Sequence, residues 1–224
     1  MTTADDTRPL TQRLKEDNWD LHQLAEKDAL PAHMVAGTLQ KDDYVRMLGQ
    51  MYCANRVLDQ RIRERRSDVA MLRDLIADRQ FQEPYLETDL KYWGADPATV
   101  EPLPETQALI DLIDDYANND PLKLFGLHYV REGANNGNKF VAMKIKKSWG
   151  HDSGDGFAYL DPYGDGQRPL WERFKRNIDK AELTEDQKAG IVASARKMFE
   201  HIRAINNAFD LEPVAEKTPT MPTP

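Results

Sequence analysis

The sequence predicts an all-α, single-domain helical bundle of about seven to eight helices. Apolar residues recur at helical spacing over long stretches, no run alternates apolar and polar residues for long enough to build a sheet, and no segment repeats. The 224 residues suffice for one large domain, and 40% hydrophobic with 30% charged side chains is the balance of an ordinary globular chain. No apolar run approaches the roughly 20 residues that span a bilayer. The opening "MTTADDTRPL" lacks the basic flank and apolar core of a secretory signal, so the cytoplasm is the expected location.

Residues 1–8 read as a disordered N-terminus, 9–210 as the helical domain. The first helix is expected over 9–29, with Pro9 near its first turn and Leu10, Leu14, Leu21 and Leu24 on one stripe; Pro31 should end it, because the residue before a proline is pushed out of the helical region. A long second helix runs over 41–66, with Tyr44, Met47, Met51, Leu58 and Ile62 on one side. A third covers 68–92, where Pro84 interrupts it or starts a new segment. Another follows over 105–118 after the proline-bearing "GADPATVEPLPE". Residues 121–149 are helical in pattern although Gly133, Asn135, Asn136, Gly137 and Asn138 lie inside, each glycine costing about 1 kcal/mol relative to alanine. We expect the glycines to bend this helix and not to end it. A glycine-rich loop over 150–169 leads to "LWERFKRNIDKAEL", and Thr184 with Gln187 forms a capping box for a last helix to about Phe209. The Pro- and Thr-rich tail 211–224 has little to bury and reads as disordered.

A net charge of −8 argues against general nucleic-acid binding. Two basic clusters stand out against it, "RIRERR" at 61–66 and Lys139, Lys144, Lys146 and Lys147 in an acid-free stretch. Solvated helix ends account for such clusters; so does docking of an acidic partner protein. Cys53, the single cysteine, excludes an intrachain disulfide and multi-cysteine metal sites, and on the apolar side of its helix it reads as an inert small hydrophobe. None of the five histidines has a glutamate three residues earlier, which removes the di-iron centre that an all-α bundle first suggests. Asp161, Asp165, Gly166 and Glu172 match part of a calcium loop, but Tyr163 replaces a ligand and Pro162 distorts its start, so turn chemistry is the better account.

"WDLHQLAEK" places Trp19, His22 and Glu26 along one helical stripe. A lone histidine backed by a carboxylate suits a metal that brings its own donors, such as porphyrin iron. Gly133 and Gly137, four apart, share one side of their helix, which permits either close helix–helix packing or the passage of a flat ring.

With these features the chain resembles the biliverdin-producing haem oxygenases, bacterial type. "LHQLAE" looks like the family's proximal-histidine segment and "YVREGANNGNKF" like its distal-helix motif; "LETDLKYWG" and "GDGFAYLDPYGDGQRPLWERFK" also match, in the family's order, from about Leu14 to Phe209. The resemblance implies haem b, substrate and cofactor at once, held between a proximal helix and a kinked distal one, with His22 as iron ligand and Glu26 as its neighbour. It implies that Gly133 and Gly137 let the distal backbone approach the oxygen site. Lys15 and Lys175 match basic positions that grip the propionates, while Tyr129 and Phe199 match pocket positions. Asn136 and Asn138 are our candidates for hydrogen-bond donors near bound oxygen. Two departures fall on the distal side: Asn138 stands where many members have a further glycine, and Ala134 where mammalian-type enzymes have an aspartate that orders pocket water. The implied reaction opens haem to biliverdin, releasing carbon monoxide and ferrous iron, with electrons from an external ferredoxin, flavodoxin or reductase docked near 139–147. The alternative is a non-enzymatic haem carrier or sensor on the same fold. A thiaminase-like helical enzyme would need Cys53 as nucleophile, which nothing in the sequence activates.

Overall fold

The computed structural model describes residues 6–214. Within them the chain is all helix and connection, without a strand: α1 (Leu10–Glu16), α2 (Trp19–Ala25), α3 (Ala29–Ala36), α4 (Lys41–Arg65), α5 (Ala70–Leu75), α6 (Glu83–Tyr92), α7 (Pro104–Asn119), α8 (Leu124–Trp149), α9 (Gln167–Ile178) and α10 (Glu185–Asn207). The expectations of disorder for 1–8 and 211–224 fall largely outside the described residues. None of these helices is long and apolar enough to cross a membrane.

The described residues form ten α-helices and not seven or eight: the 9–29 segment divides into α1 and α2, α3 stands by itself, and 68–92 divides into α5 and α6. Asn18 stops α1 by turning its Nδ2 back to donate to the Leu14 carbonyl at 3.0 Å, an orphan at the helix end. Pro31 does not end a helix either. It sits in the first turn of α3, where a missing N–H removes no intrahelical bond. Pro84 likewise falls in the first turn of α6, the second of its two expected roles. The donors at that helix start are met from α4: Asp59 Oδ2 accepts from the Gln82 and Glu83 backbone N–H groups at 2.8 and 2.9 Å. The α9 helix begins at Gln167, two residues before Pro169, and stops at Ile178, short of the expected 183. The Thr184–Gln187 capping box forms as predicted, with reciprocal bonds of 3.2 and 2.9 Å.

The α8 helix runs unbroken through its glycines to Gly150, whose left-handed φ of 63° closes it. Its first half is the centre of the molecule, with Leu124, Phe125 and Leu127 fully buried. It crosses α10 at Gly126, where an added Cβ would lie 2.0 Å from Ser194 Oγ and 2.3 Å from the Ile191 carbonyl oxygen. The same α10 lies against α2. Two helices far apart in sequence are thus carried on one support: His22 lies on α2, and Tyr129, Gly133, Asn136, Gly137 and Asn138 lie on α8.

Candidate functional site

His22 occupies the middle of α2, half-exposed, with a free ring nitrogen. Its Nδ1 is buried and unpartnered, with Glu26 Oε1 at 3.7 Å, too far for a hydrogen bond. Its Nε2 makes no hydrogen bond among the described residues and is not buried, so the ligating nitrogen is left open. Trp19 stacks on the imidazole, 5.1 Å between centroids, and Phe199 of α10 meets it edge-on at 5.8 Å. Lys15 also approaches Trp19, its Nζ 6.0 Å from the indole centroid. The α2 helix is clamped to α10 by the two Asp20–Arg196 hydrogen bonds, 2.9 and 2.8 Å, and Arg196 also donates to the Asp17 carbonyl. That guanidinium holds the Asp20 carboxyl down to about 2, so the clamp stays charged at ordinary pH.

The second cluster lies on α8 and α9. Trp171 covers Gly133: a Cβ there would lie 3.3 Å from the indole tip, which would have to give by a few tenths of an ångström. The same indole lies 5.3 Å from the Tyr129 ring and 5.9 Å from Lys175 Nζ, and Lys175 is paired with Glu172 at 3.0 Å. Burial pushes the Tyr129 phenol up to about 12. Gly137, one turn on, has open space where its Cβ would be. The Asn136 amide is engaged, donating to the Gly133 carbonyl at 2.9 Å and accepting from Gln167 at 3.3 Å. Asn138 is half-buried and makes no hydrogen bond among the described residues. Phe140, 65% exposed, follows Gly137 at helical spacing and extends this face.

Behind the glycine face α8 is fixed by buried polar groups. Arg131 pairs with Asp59 at 2.5 Å, and donates to Asn55 Oδ1 at 3.1 Å and to His128 Nδ1 at 2.9 and 3.1 Å. Arginine only donates, so His128 accepts at Nδ1 and carries its proton on Nε2. Burial holds His128 neutral, well below its usual range. Burial also raises the Glu132 carboxyl, against the lowering effect of the Tyr163 hydroxyl that donates to it at 3.1 Å. A cavity of about 30 Å³ touches Glu132, Arg79, Gln80 and Asn177, room for an ordered water. A cavity of about 170 Å³ at the start of α10, between Asp120 and Gln187, touches neither cluster.

The predicted residues therefore assemble in two groups: Lys15, His22, Glu26 and Phe199 around Trp19, and Tyr129, Gly133 and Lys175 around Trp171, with Asn136, Gly137 and Asn138 beside them. Trp171 was missed by sequence reasoning, although "LWERFK" puts it one turn before Lys175. Arg131 and Asp59 were missed because only the fold brings α4 to α8. Among the described residues no three or more histidine, cysteine, aspartate or glutamate side chains gather to hold a metal. A metal on His22 must therefore bring its other donors, as a porphyrin does. The open nitrogen of His22 and the unfilled space at Gly137 are each compatible with such a group.

The haem oxygenase family model matches residues 8–208. The fold is that of solved haem oxygenases. The protein from Leptospira interrogans superimposes with a TM-score of 0.83 at 19% identity, covering 90% of this chain and 100% of that one. Haem oxygenase-2 from the cyanobacterium Synechocystis, solved with haem and NO, gives 0.83 at 21%, covering 89% and 84%. The enzyme from Neisseria meningitidis, solved with NO and CO, gives 0.67 at 22%, covering 95% and 98%. No curated protein matches the sequence.

Proposed function

The chain belongs to the haem oxygenase family, a family of oxidoreductases, and we propose that it opens haem b to biliverdin, releasing carbon monoxide and ferrous iron. The observation that carries this reading is the pairing of an imidazole with an open Nε2 and a mid-helix glycine, Gly137, that no packing requires. When bound, haem supplies the iron that activates oxygen and is also the ring that is cleaved. His22 Nε2 would hold that iron, and an imidazole ligand pushes less electron density onto iron than a thiolate, which would favour breaking the O–O bond. Lys15 and Lys175 offer ammonium groups to the propionates; Lys175 must leave or share Glu172 to do so. Gly137 keeps side-chain bulk away from the oxygen side. Asn138 is the freer of the two candidate amides there, since Asn136 already spends hydrogen bonds on Gly133 and Gln167.

Electrons arrive from an acidic donor such as a ferredoxin or flavodoxin at the exposed end of α8. Lys144 and Lys147 are exposed there beside Phe140 and Met143. Lys139 contributes less than its sequence position implies, being paired with Asp165 at 2.9 Å. Reversing the charge of Lys144 and Lys147 should slow reduction and flatten its dependence on ionic strength; rates unaffected by either change would sink the donor site.

The deciding experiment adds haem to the protein, then ascorbate or reduced ferredoxin in air, and follows the spectrum. Loss of the Soret band with appearance of biliverdin is the expected result. A stable haem spectrum identifies a carrier or sensor, and no Soret shift on adding haem rejects both. His22→Ala should abolish the normal ferric spectrum.

A further inference from the structure

The His22 ring is held by other rings and not by a hydrogen bond. Histidines that bind metals are ordinarily oriented through their second nitrogen, which donates to a carboxylate or a carbonyl. Here that nitrogen is buried without a partner, and the Glu26 carboxylate stops at 3.7 Å. Trp19 instead lies nearly parallel to the imidazole, with 16° between the planes, and Phe199 approaches edge-on at 65°.

We propose that Trp19 is a positioning residue that sets the direction of the His22 ring plane about the bond from Nε2 to iron. The inference rests on His22 being the iron ligand, as proposed above. An imidazole lone pair lies in the plane of its ring, so a metal bound at Nε2 lies in that plane as well. Turning the ring about this bond moves neither the metal nor Nε2, and only the ring's neighbours resist it. An imidazole lying nearly parallel to an indole, 5.1 Å between centroids, resists it, because rotation drives the imidazole edge toward the indole.

The backbone that carries the indole is anchored. Trp19 is the first residue of α2, immediately after the Asn18 turn, and Asp20 beside it is bonded twice to Arg196 of α10. Its side chain is nevertheless 45% exposed, so the core does not account for so large a residue at this position. It also leaves Nε2 uncovered, as a positioning residue must.

The test uses the haem-loaded protein with Trp19→Leu and Trp19→Phe, and His22→Ala as control. In the low-spin ferric cyanide complex, the order and spread of the paramagnetically shifted haem methyl proton signals report the direction of the proximal imidazole plane. Trp19→Leu should change that pattern and weaken haem binding about two- to tenfold, the range of an aromatic pair. Trp19→Phe, which keeps a stacking face, should restore most of both. Thermal midpoints of the haem-free variants should match the parent, given the exposure of the indole. An unchanged methyl pattern in Trp19→Leu, with His22→Ala losing the normal spectrum, overturns the role of Trp19 and leaves the ligand reading intact. Tighter haem binding in Trp19→Leu also overturns it, since the indole would then be a cover over the histidine. A His22→Ala protein with the parent spectrum removes the ligand reading and this proposal together.

Discussion

The two halves of α8 share one helix and almost nothing else. From Leu124 to Glu132 every residue is buried, whereas from Gly133 to Trp149 only Asn135, Ala142 and Ile145 are. Each half contains a glycine that lowers helix propensity by about 1 kcal/mol relative to alanine. In the first half that cost is offset by the close approach of α10, which leaves no room for a Cβ at Gly126. In the second half Gly137 has no neighbour that would meet a Cβ, so the chain itself gives no reason for it. A glycine required by packing and one that packing ignores teach different things: the first marks where the fold is fixed, the second where a partner outside the chain is expected.

The sharpest way to break this contrast is at Gly126. Gly126→Ala pushes a methyl group into the Ile191 carbonyl and Ser194, and backbone cannot step aside as a flexible side chain can. We expect a loss of about 3 kcal/mol or more, read as a lower urea midpoint at unchanged slope. Parent-like stability would mean that the α8–α10 crossing is looser than its geometry.

Local features of the fold were legible, and long-range ones were not. Thr184 with Gln187 specified the start of α10, because a capping box is complete within four residues. His22 with its aromatic neighbour Trp19 was legible for the same reason, both lying on one stripe. The stop at Asn18 was hidden because Leu14 and Leu21 keep helical spacing straight through it, and only the Asn18 side chain bonding back to Leu14 reveals the break. Gly126 drew no attention beside Gly133 and Gly137, because its role depends on Ile191 and Ser194 near the other end of the chain. Gly133 was read as clearance for a ring, yet the residue nearest to it is Trp171. The Arg131–Asp59 pair was invisible for the same reason, since nothing in either segment names its partner.

Both halves of α8 are tied to the loop after it, and that hold should depend on pH. Tyr163 reaches Glu132, Asp165 reaches Lys139, and the loop is anchored in turn at Asp89, which accepts from the Ala158 and Tyr159 N–H groups at 2.9 and 2.8 Å. Burial lifts the Asp89 carboxyl from 3.8 to about 6, outweighing those two bonds. The folded state therefore holds this proton more tightly than the unfolded chain does. The resulting stabilisation is complete below about pH 4 and is lost as pH rises through about 6, at roughly 1.4 kcal/mol per unit of displacement. Stability of the parent relative to Asp89→Asn, measured in urea from pH 4 to 7, should fall across that window and then level off. A difference that stays flat or rises would show that the two backbone donors hold the charged carboxylate better than burial penalises it.

The smallest effect on the fold, and the most informative about function, is expected at Gly137. With open space at its Cβ, Gly137→Ala gains helix propensity without a clash, so the haem-free protein should be unchanged or more stable by up to about 1 kcal/mol. If the position is kept clear for haem and oxygen, the same methyl group should weaken carbon monoxide binding to the ferrous haem complex and slow biliverdin formation. Stability and function then move in opposite directions at Gly137, while Gly126→Ala loses both together. Gly133→Ala should fall between them, because the Trp171 indole must shift by only a few tenths of an ångström to admit it. A Gly137→Ala protein with parental carbon monoxide affinity and turnover would show that the glycine face is an ordinary solvated surface, and the ring would have to be sought elsewhere.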